Sequence, residues 1–330
     1  MARKLLTFAL ILGCACVAPA RAQKDTCQQK SIAVSLGSAD NTPLPSLSSA
    51  NFEGTYEKKP VRVTSAAIIQ EAPRVVVLLD ASDSMSGPSS KSLWNFSVAA
   101  GEDVVAQLPP KSEIGLAFFS TKSVRVANPT SERQILAHEL EALRTGSKTL
   151  VPKPRKTALW DAILDSLNMF DGPRLGDTIY VITDGGDNAS KTTWKDVART
   201  LGESGVRLFA LLVRYDAGRV QVAGETAGPQ PLLEIVGDTG GIVISFYTGI
   251  SGVFPSPKDT VLFDDSGKTT PLGILLGSQY RQIFSFYRLD IELPATVDKP
   301  RQWKLDLVGL GKSQRHNLVL TYPLNLAPCL

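Results

Sequence analysis

Val75-Val76-Val77-Leu78-Leu79-Asp80-Ala81-Ser82-Asp83-Ser84-Met85 is the stretch on which the reading of this 330-residue chain turns. Its first five residues form a continuous β-branched and apolar run, the mark of a strand buried on both faces of a parallel sheet. Such a strand needs helices on either side, and the sequence around it supplies them. Residues 92–108 have helical spacing, with Trp94, Val98, Val104, Val105 and Leu108 on the apolar side. A second buried strand follows at 114–119 with a short companion at 124–126, then helices at 132–143 and 158–170. Further strands are expected at 178–182, 206–213 and 241–245, separated by helices at 193–203 and 232–236. Alternation of this kind across residues 73–250 predicts an α/β fold: a doubly wound, mostly parallel sheet with helices on both faces and an edge hairpin.

The flanks read differently. Residues 23–72 are short and β-like: 31–36 alternates polar and apolar, and 52–56 and 61–64 are further strand candidates separated by a turn-rich stretch. Beyond about Ile250 the helical texture is expected to stop. Strands are expected at 261–263, 279–289, 302–308 and 317–321, with a turn at Asp264-Asp265-Ser266-Gly267, because Tyr280, Phe284, Phe286 and Tyr287 are typical β formers. Neither flank suffices for a core alone. Residues 23–72 and 251–330 are therefore expected to combine into a small β-sandwich into which the α/β domain is inserted.

The first 22 residues read as an export signal. Arg3 and Lys4 precede the apolar run 5–13, and Ala20-Arg21-Ala22 fits a cleavage site that places the mature start at Gln23. A competing reading is a lipid anchor at Cys14 in Ile11-Leu12-Gly13-Cys14, although Leu12 fits that pattern poorly. The expected location is periplasmic or extracellular. With the leader gone, Cys27 and Cys329 remain, and an oxidising compartment would permit them to pair. The whole chain has 35 Lys and Arg against 32 Asp and Glu. Arg3, Lys4 and Arg21 fall in the leader, so the remainder is balanced and offers no electrostatic footprint for nucleic acid. His138 and His316 are the only histidines, which argues against a multi-histidine metal site or a histidine-centred triad.

Ligands of open α/β sheets bind at the carboxyl ends of the strands, where Asp80-Ala81-Ser82-Asp83-Ser84 begins. The D-x-S-x-S spacing places Asp80, Ser82 and Ser84 at every second residue, so in extended chain their oxygens face one way. Asp83 or Ser84 would equally suit a helix N-cap. Two later features tip the balance: Thr157 at the start of the helix 158–170, and Asp184 in Thr183-Asp184-Gly185-Gly186 at the end of another strand. In this order the three features resemble the metal-ion-dependent adhesion site of the von Willebrand factor type A family, and the likeness covers roughly residues 73–250. It implies a site made by Asp80, Ser82, Ser84, Thr157 and Asp184.

Two carboxylates and three hydroxyls form a hard oxygen set suited to Mg²⁺ or Mn²⁺. The resemblance implies an open coordination position taken by an Asp or Glu of a protein partner, and hence a non-enzymatic adhesion or binding protein. The sequence departs from the family at Val151-Pro152-Lys153-Pro154-Arg155-Lys156, where glycines are common in relatives. Lys153, Arg155 and Lys156 either weaken the metal site or attract an acidic ligand. Two other functions stay open: a structural module with an empty site, and a Mg²⁺-dependent phosphatase with Asp80 as nucleophile. The phosphatase would need an acid/base carboxylate two residues on, where Ser82 stands. Asp83, Asp161 and Asp187 are read as capping or supporting groups, and Trp94 and Trp160 as core.

Overall fold

The computed structural model describes residues 28–38, 46–86, 91–146, 156–215, 229–248, 257, 260–263 and 269–328. The export signal, Cys14, Cys27, Cys329, Lys153, Arg155 and the turn at 264–267 lie outside the described residues. The chain opens with β1 (Gln29–Ser38), β2 (Phe52–Tyr56) and β3 (Lys59–Ile69), then enters β4 (Arg74–Asp80). A short helix α1 (Asp83–Ser86) and the long α2 (Lys91–Gln107) lead to β5 (Glu113–Phe119) and β6 (Ser123–Thr130). Next come α3 (Arg133–Thr145), α4 (Leu159–Leu167), β7 (Thr178–Thr183), α5 (Trp194–Ser204), β8 (Arg207–Tyr215), α6 (Gln230–Asp238) and β9 (Val243–Thr248).

These strands form a six-stranded sheet in the order β6-β5-β4-β7-β8-β9, parallel except for β6, which runs antiparallel to β5. The apolar run in β4 has a simple cause. Val75, Val77 and Leu79 pack with α2 and α3 on one face, whereas Val76 and Leu78 pack with α4, α5 and α6 on the other. With both faces covered, no position along the strand can be polar until it ends at Asp80. The connection leaving β4 runs toward β5, and that leaving β7 runs toward β8. Neighbouring strands whose connections diverge leave a crevice at their carboxyl ends, where ligands bind in this class of sheet. Asp80 and Asp184 border it.

The chain continues through the two-stranded β10 (Val261–Phe263) and β11 (Thr269–Pro271) to α7 (Leu272–Phe284). Here the structure corrects the expectation that helices stop near Ile250 and that 279–289 is a strand. Leu272, Leu276, Tyr280 and Ile283 recur at helical spacing and are buried with Val77, Tyr180 and Phe209 in the same core as α2. The helix exists because this stripe finds an apolar face to cover, which outweighs the β preference of its aromatics. The α/β layer therefore extends past residue 250 to Phe284.

After α7 come β12 (Phe286–Glu292), β13 (Arg301–Gln302), β14 (Lys304–Leu307), α8 (Lys312–Asn317), β15 (Leu318–Thr321) and β16 (Asn325–Leu326). The flanks interleave as expected. Both contribute to one antiparallel six-stranded sheet, β14-β2-β3-β12-β1-β15, with β12 from the far end inserted between β3 and β1. The ribbon β13–β16 lies against it, and Leu326 shares its core with Val34, Tyr56, Leu289 and Trp303. No helix among the described residues is long and apolar enough to cross a membrane.

Candidate metal centre

Asp80 is the last residue of β4 and is fully buried. One carboxylate oxygen accepts the backbone N–H of Ser82 at 2.9 Å, and the other accepts the hydroxyl of Thr183 at 2.6 Å. Ser82, also buried, places its Oγ 3.0 Å from that of Ser84. The spacing read from the sequence thus brings Asp80, Ser82 and Ser84 together, with the chain turning into α1 immediately after Ser82. Asp83 opens that short helix on its exposed side.

Asp184 arrives from the neighbouring strand. Gly185 follows it with φ of +85°, a conformation that side chains with a Cβ resist, and an added Cβ would lie 2.9 Å from Leu212. The turn is held by Gly185 N–H donating to Thr183 Oγ1 at 3.0 Å and Gly186 N–H donating to Asp184 Oδ1 at 3.1 Å. Thr183 thus links both halves of the site. Its partnership with Asp80 depends on β4 and β7 being neighbours, which no local motif announces.

Thr157 is buried and lies ahead of α4, whose cap position is Ala158 with no side-chain cap of its own. The helix start is satisfied from elsewhere: Asp187 Oδ1 accepts the N–H of Leu159 at 2.8 Å, and Ser190 Oγ accepts that of Trp160 at 3.0 Å. Asp161 in return accepts the N–H groups of Lys191 and Thr192. Asp161 and Asp187 are thus supporting groups, as their positions suggested. Trp94 and Trp160 are core residues. Lys156, beside Thr157, is exposed.

Whether these residues suit a divalent cation is answered by Asp80 itself. Burial, and after it the charge of Asp184, push the Asp80 carboxyl up to about 7, against hydrogen bonds from Ser82 and Thr183 that favour its ionised form. Among the described residues no Lys or Arg forms an ion pair with Asp80 or Asp184. A buried carboxylate with a second carboxylate near enough to raise its pKa, the hydroxyls of Ser82, Ser84 and Thr183 beside it and no Lys or Arg paired to it among the described residues form an oxygen set that a +2 ion would neutralise. The residues fit.

Residues 75–186, from β4 to the turn after Asp184, match the family model of the von Willebrand factor type A domain. The chain contains a von Willebrand factor type A domain. Solved structures similar to it include the conserved hypothetical protein BatB from Bacteroides thetaiotaomicron, 21% identical over 53% of this chain and 91% of that one, with a TM-score of 0.41. An aerotolerance-related membrane protein from Bacteroides fragilis is 18% identical over 64% of this chain and 98% of that one, with a TM-score of 0.42. Proximal thread matrix protein 1 from the mussel byssus, solved with a zinc-occupied MIDAS motif, is 12% identical over 69% of this chain and 50% of that one, with a TM-score of 0.48. No curated protein matches the chain in sequence. The matched type A segment spans all five residues singled out by the motif.

Proposed function

We propose that this is an exported, non-enzymatic binding protein whose Asp80, Ser82, Ser84, Thr157 and Asp184 hold Mg²⁺ or Mn²⁺ and, through it, an Asp or Glu of a protein partner. The observation that carries this reading is the buried Asp80 carboxylate, bonded to Ser82 and Thr183 and raised in pKa by burial and then by Asp184, with no Lys or Arg paired to it among the described residues. The ion would supply a Lewis-acidic position open to an outside carboxylate. Asp80 and Asp184 supply the charge that retains it, and the three hydroxyls are neutral, so the ion keeps attraction for one more anion. Ser82, at the position where a phosphotransferase would need a carboxylate, supports binding over catalysis. The leader at 1–22 supports export, and the balanced charge of the remainder speaks against a nucleic-acid partner.

Calorimetric titration of Mg²⁺ and Mn²⁺ into the chain tests the metal, with Asp80→Ala as control. Retention of cell-envelope proteins with and without EDTA tests the partner. Saturable binding should be lost in Asp80→Ala, and retention should be abolished by EDTA and restored by an excess of Mg²⁺. Retention indifferent to EDTA, or hydrolysis of a generic phosphate ester that Asp80→Ala abolishes, would overturn it.

A further inference from the structure

The loop that carries Asp184 also grips Thr157. Asn188 Oδ1 accepts the backbone N–H of Thr157 at 2.9 Å, while the N–H groups of Asn188 and Ala189 both donate to the Thr157 carbonyl, each at 2.9 Å. Both backbone polar groups of Thr157 are therefore taken by residues four and five positions beyond Asp184. Thr157 belongs to no helix or strand. Beside this clasp, its surroundings are anchored by Ala158 N–H donating to the carbonyl of Ser120 at 2.8 Å, beyond the end of β5, and by the bonds of Asp187 and Ser190 to the start of α4. A side chain points where its backbone is held, so the clasp sets the direction of the Thr157 hydroxyl relative to the Asp184 carboxylate.

Resting on the metal-site reading above, we infer that Asn188 is a positioning residue. Its side-chain oxygen fixes Thr157 so that a hydroxyl and a carboxylate from segments 27 residues apart in sequence meet one cation as a rigid pair. The Asp80-Ser82-Ser84 stretch then forms the opposite wall. Without the Asn188 acceptor, the Thr157 N–H is a buried donor with no partner, and the segment turns to find one. The hydroxyl turns with it. Asn188 is itself exposed, so truncating it opens no cavity and leaves the fold in place.

The test is a Mn²⁺ titration of the full chain and its Asn188→Ala and Asn188→Asp variants, read by calorimetry. Amide exchange of residues 157–161 is followed in parallel in EDTA. Asn188→Ala should bind Mn²⁺ at least about tenfold more weakly, the usual loss when a group orienting a ligand is removed, with faster exchange at 157–161. Asn188→Asp keeps an acceptor oxygen and should bind at least as tightly as the parent. Equal affinity in Asn188→Ala, or equal loss in both variants, overturns the positioning role while leaving the metal site standing. A parent chain that binds no Mn²⁺ overturns the metal reading and this inference together.

Discussion

Asp80 serves folding and binding in opposite senses. An aspartate in an unfolded chain ionises near pH 3.9, whereas burial and Asp184 raise Asp80 to about 7 in the fold. The metal-free fold therefore binds the Asp80 proton more tightly than the unfolded chain does. The contribution of Asp80 to the stability of the metal-free fold is fully present below about pH 4 and is lost as pH rises through about 7. Asp80→Asn keeps the shape and can still accept from Ser82 N–H. In EDTA at pH 8 it should be more stable than the parent by up to about 4 kcal/mol, and the difference should fade toward pH 4, as read from urea midpoints. Equal midpoints at pH 8 would count against a strained, uncompensated carboxylate. At this scale the sequence was informative about Asp80, Ser82 and Ser84, whose alternate spacing is local and which the fold brings together. It said nothing of Thr183 as the partner of Asp80, or of Asn188 as the clasp on Thr157. Both contacts arise only after β4, β7 and α4 have been brought together.

Helix α7 shows what decides an element when local preference and tertiary packing disagree. Tyr280 and Phe284 favour strand, and the run into Phe286 and Tyr287 extends that impression. The i, i+4, i+8, i+11 recurrence of Leu272, Leu276, Tyr280 and Ile283 points the other way, and it wins because Val77, Tyr180 and Phe209 offer the facing surface. Gln279 adds a polar anchor: its Oε1 accepts from Tyr180 at 2.8 Å, and its Nε2 donates to the carbonyl of Ile242 at 2.7 Å. Leu276 is fully buried, so Leu276→Ala should lower stability by about 2–5 kcal/mol, measured by denaturant unfolding. A loss below about 1 kcal/mol would place α7 outside the core. The inner strands β4, β5, β7 and β8, by contrast, were legible in the sequence, since a strand covered on both faces leaves a nearly uninterrupted apolar run.

At the scale of the molecule, Arg207 ties the two sheets. It stands at the start of β8, is 1% exposed, and donates to Ser35 Oγ in β1 at 3.1 Å and to the carbonyls of Gln282 and Ile283 at 2.8 and 2.7 Å. Its guanidinium lies 4.3 Å from the ring centroid of Phe286, and burial lowers its pKa to about 9. The last turn of α7 and the terminal sheet thus share one planar cation. Arg207→Ala strands buried carbonyls and should lower stability by about 3 kcal/mol or more. Arg207→Lys should recover less than half, because an ammonium cannot reproduce the fork or the stacking. Urea unfolding of both variants checks this, and two midpoints close to that of the parent would refute the tie. The sequence foretold that the two flanks join but not what joins them to the inserted layer, since Arg207 opens a strand whose next six residues are apolar.

The most direct measurement is anomalous scattering from a crystal of the chain grown with Mn²⁺. One strong peak is expected in the crevice between the ends of β4 and β7, about 2.0–2.3 Å from serine and carboxylate oxygens, and none there in Asp80→Ala. A map with manganese only at other places, and Asp80 still bonded to Ser82 and Thr183 alone, would contradict it.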